Sequence, residues 1–97
     1  MEAPFSQRVS VPDNVLVRVL DNEAVLLNLD RETYFGLDDV GTHMWLRLTQ
    51  SDTIQSAYDT LLTEYDIEGA QLRADLIDLI GQLANRGLLV LDHGEFV

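Results

Sequence analysis

Hydrophobic periodicity changes once along this chain, and the change limits the folds open to it. Up to Leu37, apolar residues come in short runs, "VLVRVL" (Val15 to Leu20), "AVLLNL" (Ala24 to Leu29) and "YFGL" (Tyr34 to Leu37). The turn-forming stretches "DNE" and "DRET" separate them,. Runs of this length joined by short turns predict an antiparallel meander. Val15, Val17 and Val19 alternate with Leu16, Arg18 and Leu20, and Val25, Leu27 and Leu29 alternate with Leu26 and Asn28. Arg18 and Asn28 are therefore expected on the wetter face.

From Asp38 the period becomes helical. Asp38 is a natural N-cap, because its carboxylate can accept from the first unpaired amides. Val40, Met44 and Leu48 follow at helical spacing, with Trp45 beside them as a core residue. Gly41 lies inside this helix at a cost of about 1 kcal/mol relative to Ala, which predicts a close backbone approach. A second helix is expected after Asp52, which forms a capping-box pattern with Gln55. Its apolar stripe is Ile54, Ala57, Tyr58, Leu61, Leu62 and Tyr65. The third helix runs from about Glu68 to Arg86, closed by Gly87. "LLVL" (Leu88 to Leu91) reads as a final short strand or extended tail.

The order β-β-β-α-α-α predicts one α+β domain, winged-helix-like, with a three-stranded antiparallel N-terminal sheet followed by three helices. It spans residues 15–91. Residues 1–14, with both prolines (Pro4 and Pro12), form an irregular arm, and residues 92–97 a frayed tail,. A length of 97 residues fits one domain, and 46% hydrophobic residues suffice for its core,.

Charge narrows the function. The formal net charge is −11, and all six basic residues are Arg. Such a balance argues against nucleic acid, whose phosphates need cations, and against anionic membranes. No Cys is present, so disulfides, thiolate metal sites and thiol catalysis are excluded,. No apolar stretch approaches the ~18 residues of a membrane span, and no secretory signal opens the chain. A cytoplasmic location is expected.

Catalytic equipment is missing as well. His43 and His93 are far apart, and no HxH, HxxxH or CxxC spacing offers a metal site,. His43 reads as structural or surface, and Asp38 and Asp39 as helix-capping charges. No glycine-rich phosphate loop and no serine elbow occurs. Neither a catalytic residue nor a cofactor is expected.

Binding residues are easier to find. "YFGL" ends the meander, so its far side is an open edge with unpaired amides and carbonyls. Edges are usually blocked by charge or Pro; this one carries Tyr34, Phe35, Gly36 and Leu37, after Thr33. Gly36 leaves room for another backbone, and alternation sends Tyr34 and Phe35 to opposite faces, so one of them is expected in the core. On the third helix Leu72, Leu76, Leu79, Ile80 and Leu83 cluster within roughly 100°. Ile77, Ala84 and Ala70 widen this arc on one flank, and Asp75, Gln82 and Arg86 border it on the other. Part of the arc packs inward and part can line a groove. A peptide added to the edge as a fourth strand would send alternate side chains into that groove. Asp75 stands where it could bond such a peptide, or it pairs with Arg73 or Arg86 on its own helix.

The stretch "AVLLNLDRETYFGLDDVGTHMW" resembles the N-terminal half of the PqqD-like family, peptide-recognition domains of ribosomal peptide modification systems. The matching positions are Leu27, Leu29, Tyr34, Leu37, Asp38, Val40, Gly41 and Trp45. "EYDIEGAQLRADLIDLIGQLANRGLL" resembles the family's second half, with Asp75 and the closing Gly87 and Leu88. The resemblance implies a non-catalytic adaptor. It would bind the leader segment of a precursor peptide along the third strand and third helix, through Thr33 to Leu37, Leu72, Asp75, Leu76, Leu79 and Leu83. It would present the precursor to a modifying enzyme, with the leader peptidase of lasso peptide systems preferred over a radical-SAM enzyme. A DNA-binding regulator is the alternative of another class, opposed by the charge. A permanent enzyme subunit is a third, and an open edge could also pair with itself to give a homodimer.

Overall fold

The structure is a computed structural model and describes residues 5–92. Its elements are β1 (Arg8–Ser10), β2 (Val15–Leu20), β3 (Glu23–Asn28), β4 (Thr33–Leu37), α1 (Asp39–Gln50), α2 (Ile54–Glu64), α3 (Gly69–Asn85) and β5 (Val90–Asp92). The expected meander is present as an antiparallel sheet in the order β2-β3-β4. Asp21 and Asn22 both take positive φ (51° and 68°), the geometry of a tight two-residue hairpin turn whose twist matches its strands,.

The N-terminal arm is more ordered than its composition suggested. Arg8–Ser10 pairs antiparallel with Val90–Asp92. Upstream, the carbonyls of Gln7 and Phe5 accept from Ile54 N and Gln55 N at 2.9 and 2.8 Å, covering the first amides of α2. Phe5 is buried edge-on against Tyr58, with the Arg73 guanidinium 4.3 Å above its ring. The frayed tail expected over residues 92–97 begins with Asp92, which instead closes β5; the remainder lies outside the described residues.

Helix termini follow local chemistry. Asp38 Oδ1 accepts from Gly41 N at 2.8 Å, and a Cβ on Gly41 would come within 3.2 Å of that oxygen and 3.3 Å of Leu37. The close approach expected at Gly41 is this cap. The cap of α2 lies one residue later than expected: Thr53, not Asp52, accepts from Ser56 N. α3 ends as predicted on Gly87, at φ 71°. Gly87 N bonds Ala84 O and Leu88 N bonds Leu83 O, the paired reverse bonds of a Schellman close,.

Register divides the sheet into two faces. Val17 opposes Leu26, which opposes Phe35, and Val19 opposes Ala24, which opposes Leu37. Together with Val15, Asn28 and Thr33 these residues form the face turned toward the helices. The other face carries Leu16, Arg18, Val25, Leu27, Tyr34 and Gly36. The expectation that Asn28 shares a wet face with Arg18 is therefore corrected. Asn28 is 3% exposed on the inner face. Its Oδ1 accepts from Asp30 N and Arg31 N, and its Nδ2 donates to Gly87 O at 3.1 Å and Arg86 O at 3.4 Å. Thus one buried amide ties the β3–β4 turn to the end of α3. Thr42 does the same at the other end of β4, accepting from Ala24 N and donating to Leu37 O.

The core lies between this inner face and the helices, around Leu26, Trp45, Leu48, Ile54, Leu61, Leu72, Leu76 and Leu83. Val40, expected in the α1 stripe, is 42% exposed.

Candidate functional site: the free edge of β4 and the border of α3

The hydrogen-bond ladder fixes which β4 backbone groups are free. Leu29 N bonds Asn14 O at 2.9 Å, one pair beyond Val15–Asn28. In an antiparallel pair, hydrogen-bonded and non-bonded residue pairs alternate. Leu16–Leu27, Arg18–Val25 and Leu20–Glu23 are then the bonded pairs of β2 and β3. The same alternation turns Ala24, Leu26 and Asn28 toward β4, where they pair with Leu37, Phe35 and Thr33. Tyr34 and Gly36 consequently direct their N–H and C=O groups away from the sheet. Among the described residues these four backbone groups have no partner along this edge.

The side chains complete the picture. Tyr34 is 74% exposed on the outer face. Phe35 is half-buried on the inner face and Leu37 is buried. A Cβ on Gly36 would meet nothing within 4 Å, so the edge is open there.

Two contacts orient α3. Arg73, on one flank of its apolar arc, reaches Phe5. Arg86, on the other, places its guanidinium 4.8 Å above the Phe35 ring. The border formed by Asp75, Leu79, Gln82 and Arg86 at i, i+4, i+7 and i+11 is therefore the one turned toward β4. Of the helix residues expected to bind, Leu79 and Asp75 keep part of their surface. Leu72, Leu76 and Leu83 have none (0% exposed). Those three are corrected to core residues that support the border from behind, because the center of the arc packs inward. Asp75 pairs with neither Arg73 nor Arg86; its Oδ1 accepts from Gln71 Nε2 at 2.8 Å. The flank residues Ile77, Ala70 and Ala84 are exposed.

One constellation escaped the sequence reading. Glu64 receives a two-point contact from Arg47 (3.0 and 2.6 Å) and a third from His43 Nε2 at 3.0 Å, while His43 Nδ1 meets Tyr65 Oη at 2.8 Å. A neutral imidazole satisfies both contacts by donating to Glu64 and accepting from Tyr65. Hydrogen bonding from Arg47 holds the Glu64 carboxyl below its ordinary range, and the same bond raises Arg47. Burial, then the Asp39 and Glu64 charges, push the Tyr65 phenol up. His43 and Glu64 are 21 residues apart on different helices, so no local spacing announces the cluster. Among the described residues no group of three or more acidic or imidazole side chains could hold a metal, and no helix is long and apolar enough to cross a membrane.

The family model for coenzyme PQQ synthesis protein D (PqqD) matches residues 23–89, from β3 to the residue before β5. The chain belongs to the PqqD family. Two solved structures are similar to it. The first, described as TbiB1 in complex with the TbiA(beta) leader peptide, is 36% identical, covers 82% of this chain and 93% of its own, and gives a TM-score of 0.77. The second, lasso peptide synthetase B1 complexed with the leader peptide, is 22% identical with a TM-score of 0.73, over 86% of this chain and 98% of its own; it supports the fold alone. A comparison with curated proteins gives no match.

Proposed function

We propose that this PqqD-family chain is a non-catalytic adaptor for a ribosomal precursor peptide. It captures the leader by strand addition to β4 and presents it to a separate enzyme, the leader peptidase of a lasso peptide system. The observation that carries the proposal is the outward-facing backbone of Tyr34 and Gly36 beside an open glycine. An added strand gains those four hydrogen bonds, and its inward side chains rest on Phe35, Leu79 and the stem of Arg86. Asp75 is left to meet a donor on the peptide. The 36%-identical neighbor, solved with a leader peptide, supports the same assignment.

The outer face supports the presenting half of the role. Leu16, Leu20, Val25 and Tyr34 are 49%, 67%, 43% and 74% exposed there, around Arg18. A leader strand would widen this apolar face by one strand, so an enzyme docking on it would touch adaptor and leader together. A second copy on the β4 edge would compete with the leader, and a charge of −11 on each copy opposes it,.

The test is a titration with the cognate leader peptide. Amide shifts are expected at Tyr34 to Leu37 and along the Asp75–Arg86 border. Gly36→Pro, which removes an outward N–H, should weaken binding by about tenfold or more, and Asp75→Ala by about threefold. Circular dichroism should be unchanged in both. Wild-type affinity in both variants would remove the groove from the proposal.

A further inference from the structure

The opposite edge of the same sheet is the larger anomaly. β2 is exposed at five successive positions, Leu16 to Leu20, of which four are apolar. Edge strands of this kind are normally blunted by charge, proline or a covering element. The one charge here, Arg18, lies on the outer face. By the ladder derived above, Leu16, Arg18 and Leu20 bond to β3, so Val17 and Val19 direct their N–H and C=O groups outward. Their side chains point inward yet stay 36% and 46% exposed, although the neighbors Leu26 and Ala24 on β3 are 0% and 1% exposed. The helices cover β3 and leave this end of β2 open.

A pocket of about 280 Å³ adjoins Val19. Val19 and Leu46 give it apolar sides. Thr42, His43 and Tyr65 line it as well, with Asp39 and Asn22. Its electrostatics are unbalanced. Glu64 is matched by Arg47 and His43, and both nitrogens of His43 are engaged. Asp39 has no basic partner among the described residues; its Oδ1 accepts only from Val40 N. The Asp39 charge is close enough to oppose ionisation of Tyr65.

We infer that the β2 edge is a second chain-docking site, taking an extended segment of a protein partner that places a cationic side chain in this pocket. The partner backbone pairs with Val17 and Val19. The methylene stem of an Arg or Lys lies on Val19 and Leu46, and its charged end meets Asp39 and the Tyr65 oxygen. A second copy of this chain does not fit. Pairing β2 with β2 leaves Arg18 on the outer face and brings no cation to the pocket, and each copy carries −11. The inference stands apart from the β4 proposal, since the two edges share no backbone group.

The probe is the blocked pentapeptide Thr-Val-Arg-Val-Thr, titrated into the isotope-labeled full chain. Amide shifts are expected at Val17, Val19 and Thr42. Affinity should fall about fivefold in Asp39→Asn, and by a similar factor when norleucine replaces the Arg of the probe. Val19→Thr, nearly isosteric, should also weaken binding and serves if Asp39→Asn disturbs the start of α1. No shift, shifts confined to Tyr34 to Leu37, or equal affinity for a probe with Glu in place of Arg would each overturn the inference. So would a dimer in sedimentation that Val17→Pro abolishes, since it would give the edge to a second copy.

Discussion

The two edges of the three-stranded sheet obey one ladder and differ in what stands behind them. At β4 the inner Leu37 is buried and Phe35 half-buried, with only Thr33 exposed at the strand's start, and both ends of the strand are tied to helices. Asn28 and Arg31 bind the turn before it to the carbonyls of Asn85, Arg86 and Gly87, and Thr42 holds its last carbonyl. At β2 the inner valines Val17 and Val19 are half open, and Val19 borders the pocket beside α1. The first edge is a preorganized shelf, and under the proposed function an incoming strand would find its groove already set. The second is an unguarded edge whose selectivity rests on one pocket.

The sharpest way to break this comparison is a proline at each alternate position. Phe35 and Leu16 donate their N–H groups into the sheet. Phe35→Pro and Leu16→Pro should each cost about 3 kcal/mol or more, a large share of the roughly 5–15 kcal/mol available to a domain. Gly36→Pro and Val17→Pro remove outward N–H groups and should leave the thermal midpoint within a few degrees. If the pattern inverts at either strand, the free groups belong to the other residues and that docking edge is misplaced by one position.

A smaller effect tests the preorganization of β4. Asn28→Ala leaves two turn amides and the end of α3 without their partner. The expected loss is about 2–3 kcal/mol, read as a drop of roughly 10–20 °C in thermal midpoint. Leader affinity should fall as well, because the β4–α3 spacing loosens, while the β2 probe should bind as before. Equal losses at both edges would mean that Asn28 supports the whole sheet and not one side of it.

Asn28 also marks the limit of what could be read in advance. The meander, the period change at Asp38 and the close at Gly87 were legible because each rests on local chemistry. The face of β3 was not. Both sides of that strand are apolar, so a lone Asn looked like a surface marker, whereas its buried amide makes five hydrogen bonds to residues near and far. The same limit applied to α3. The arc of leucines was visible, but which leucines touch solvent depends on neighbors, and Leu72, Leu76 and Leu83 proved to be core. The opposite facing of Tyr34 and Phe35 was legible because alternation alone decides it. Cluster residues His43, Glu64 and Tyr65 meet only through the packing of α1 on α2.

The smallest predicted effect belongs to that cluster, whose His43 and Tyr65 line the pocket beside Val19. Glu64 titrates below its ordinary value of 4.5 because Arg47 donates to it, and Arg47 stays charged throughout the acid range. A carboxyl with a depressed folded pKa contributes stability that is present above its unfolded value and is lost as pH falls through the folded one. Glu64→Gln should therefore lower the thermal midpoint slightly near neutrality, and the gap to wild type should close as pH drops below 4.5. Because the cluster lines the pocket through His43 and Tyr65, the same variant should weaken the β2 probe and spare the leader. A gap that persists unchanged into acid would mean that Glu64 acts by packing, and the pocket would then lose the neutralised pair that leaves Asp39 as its unmatched charge.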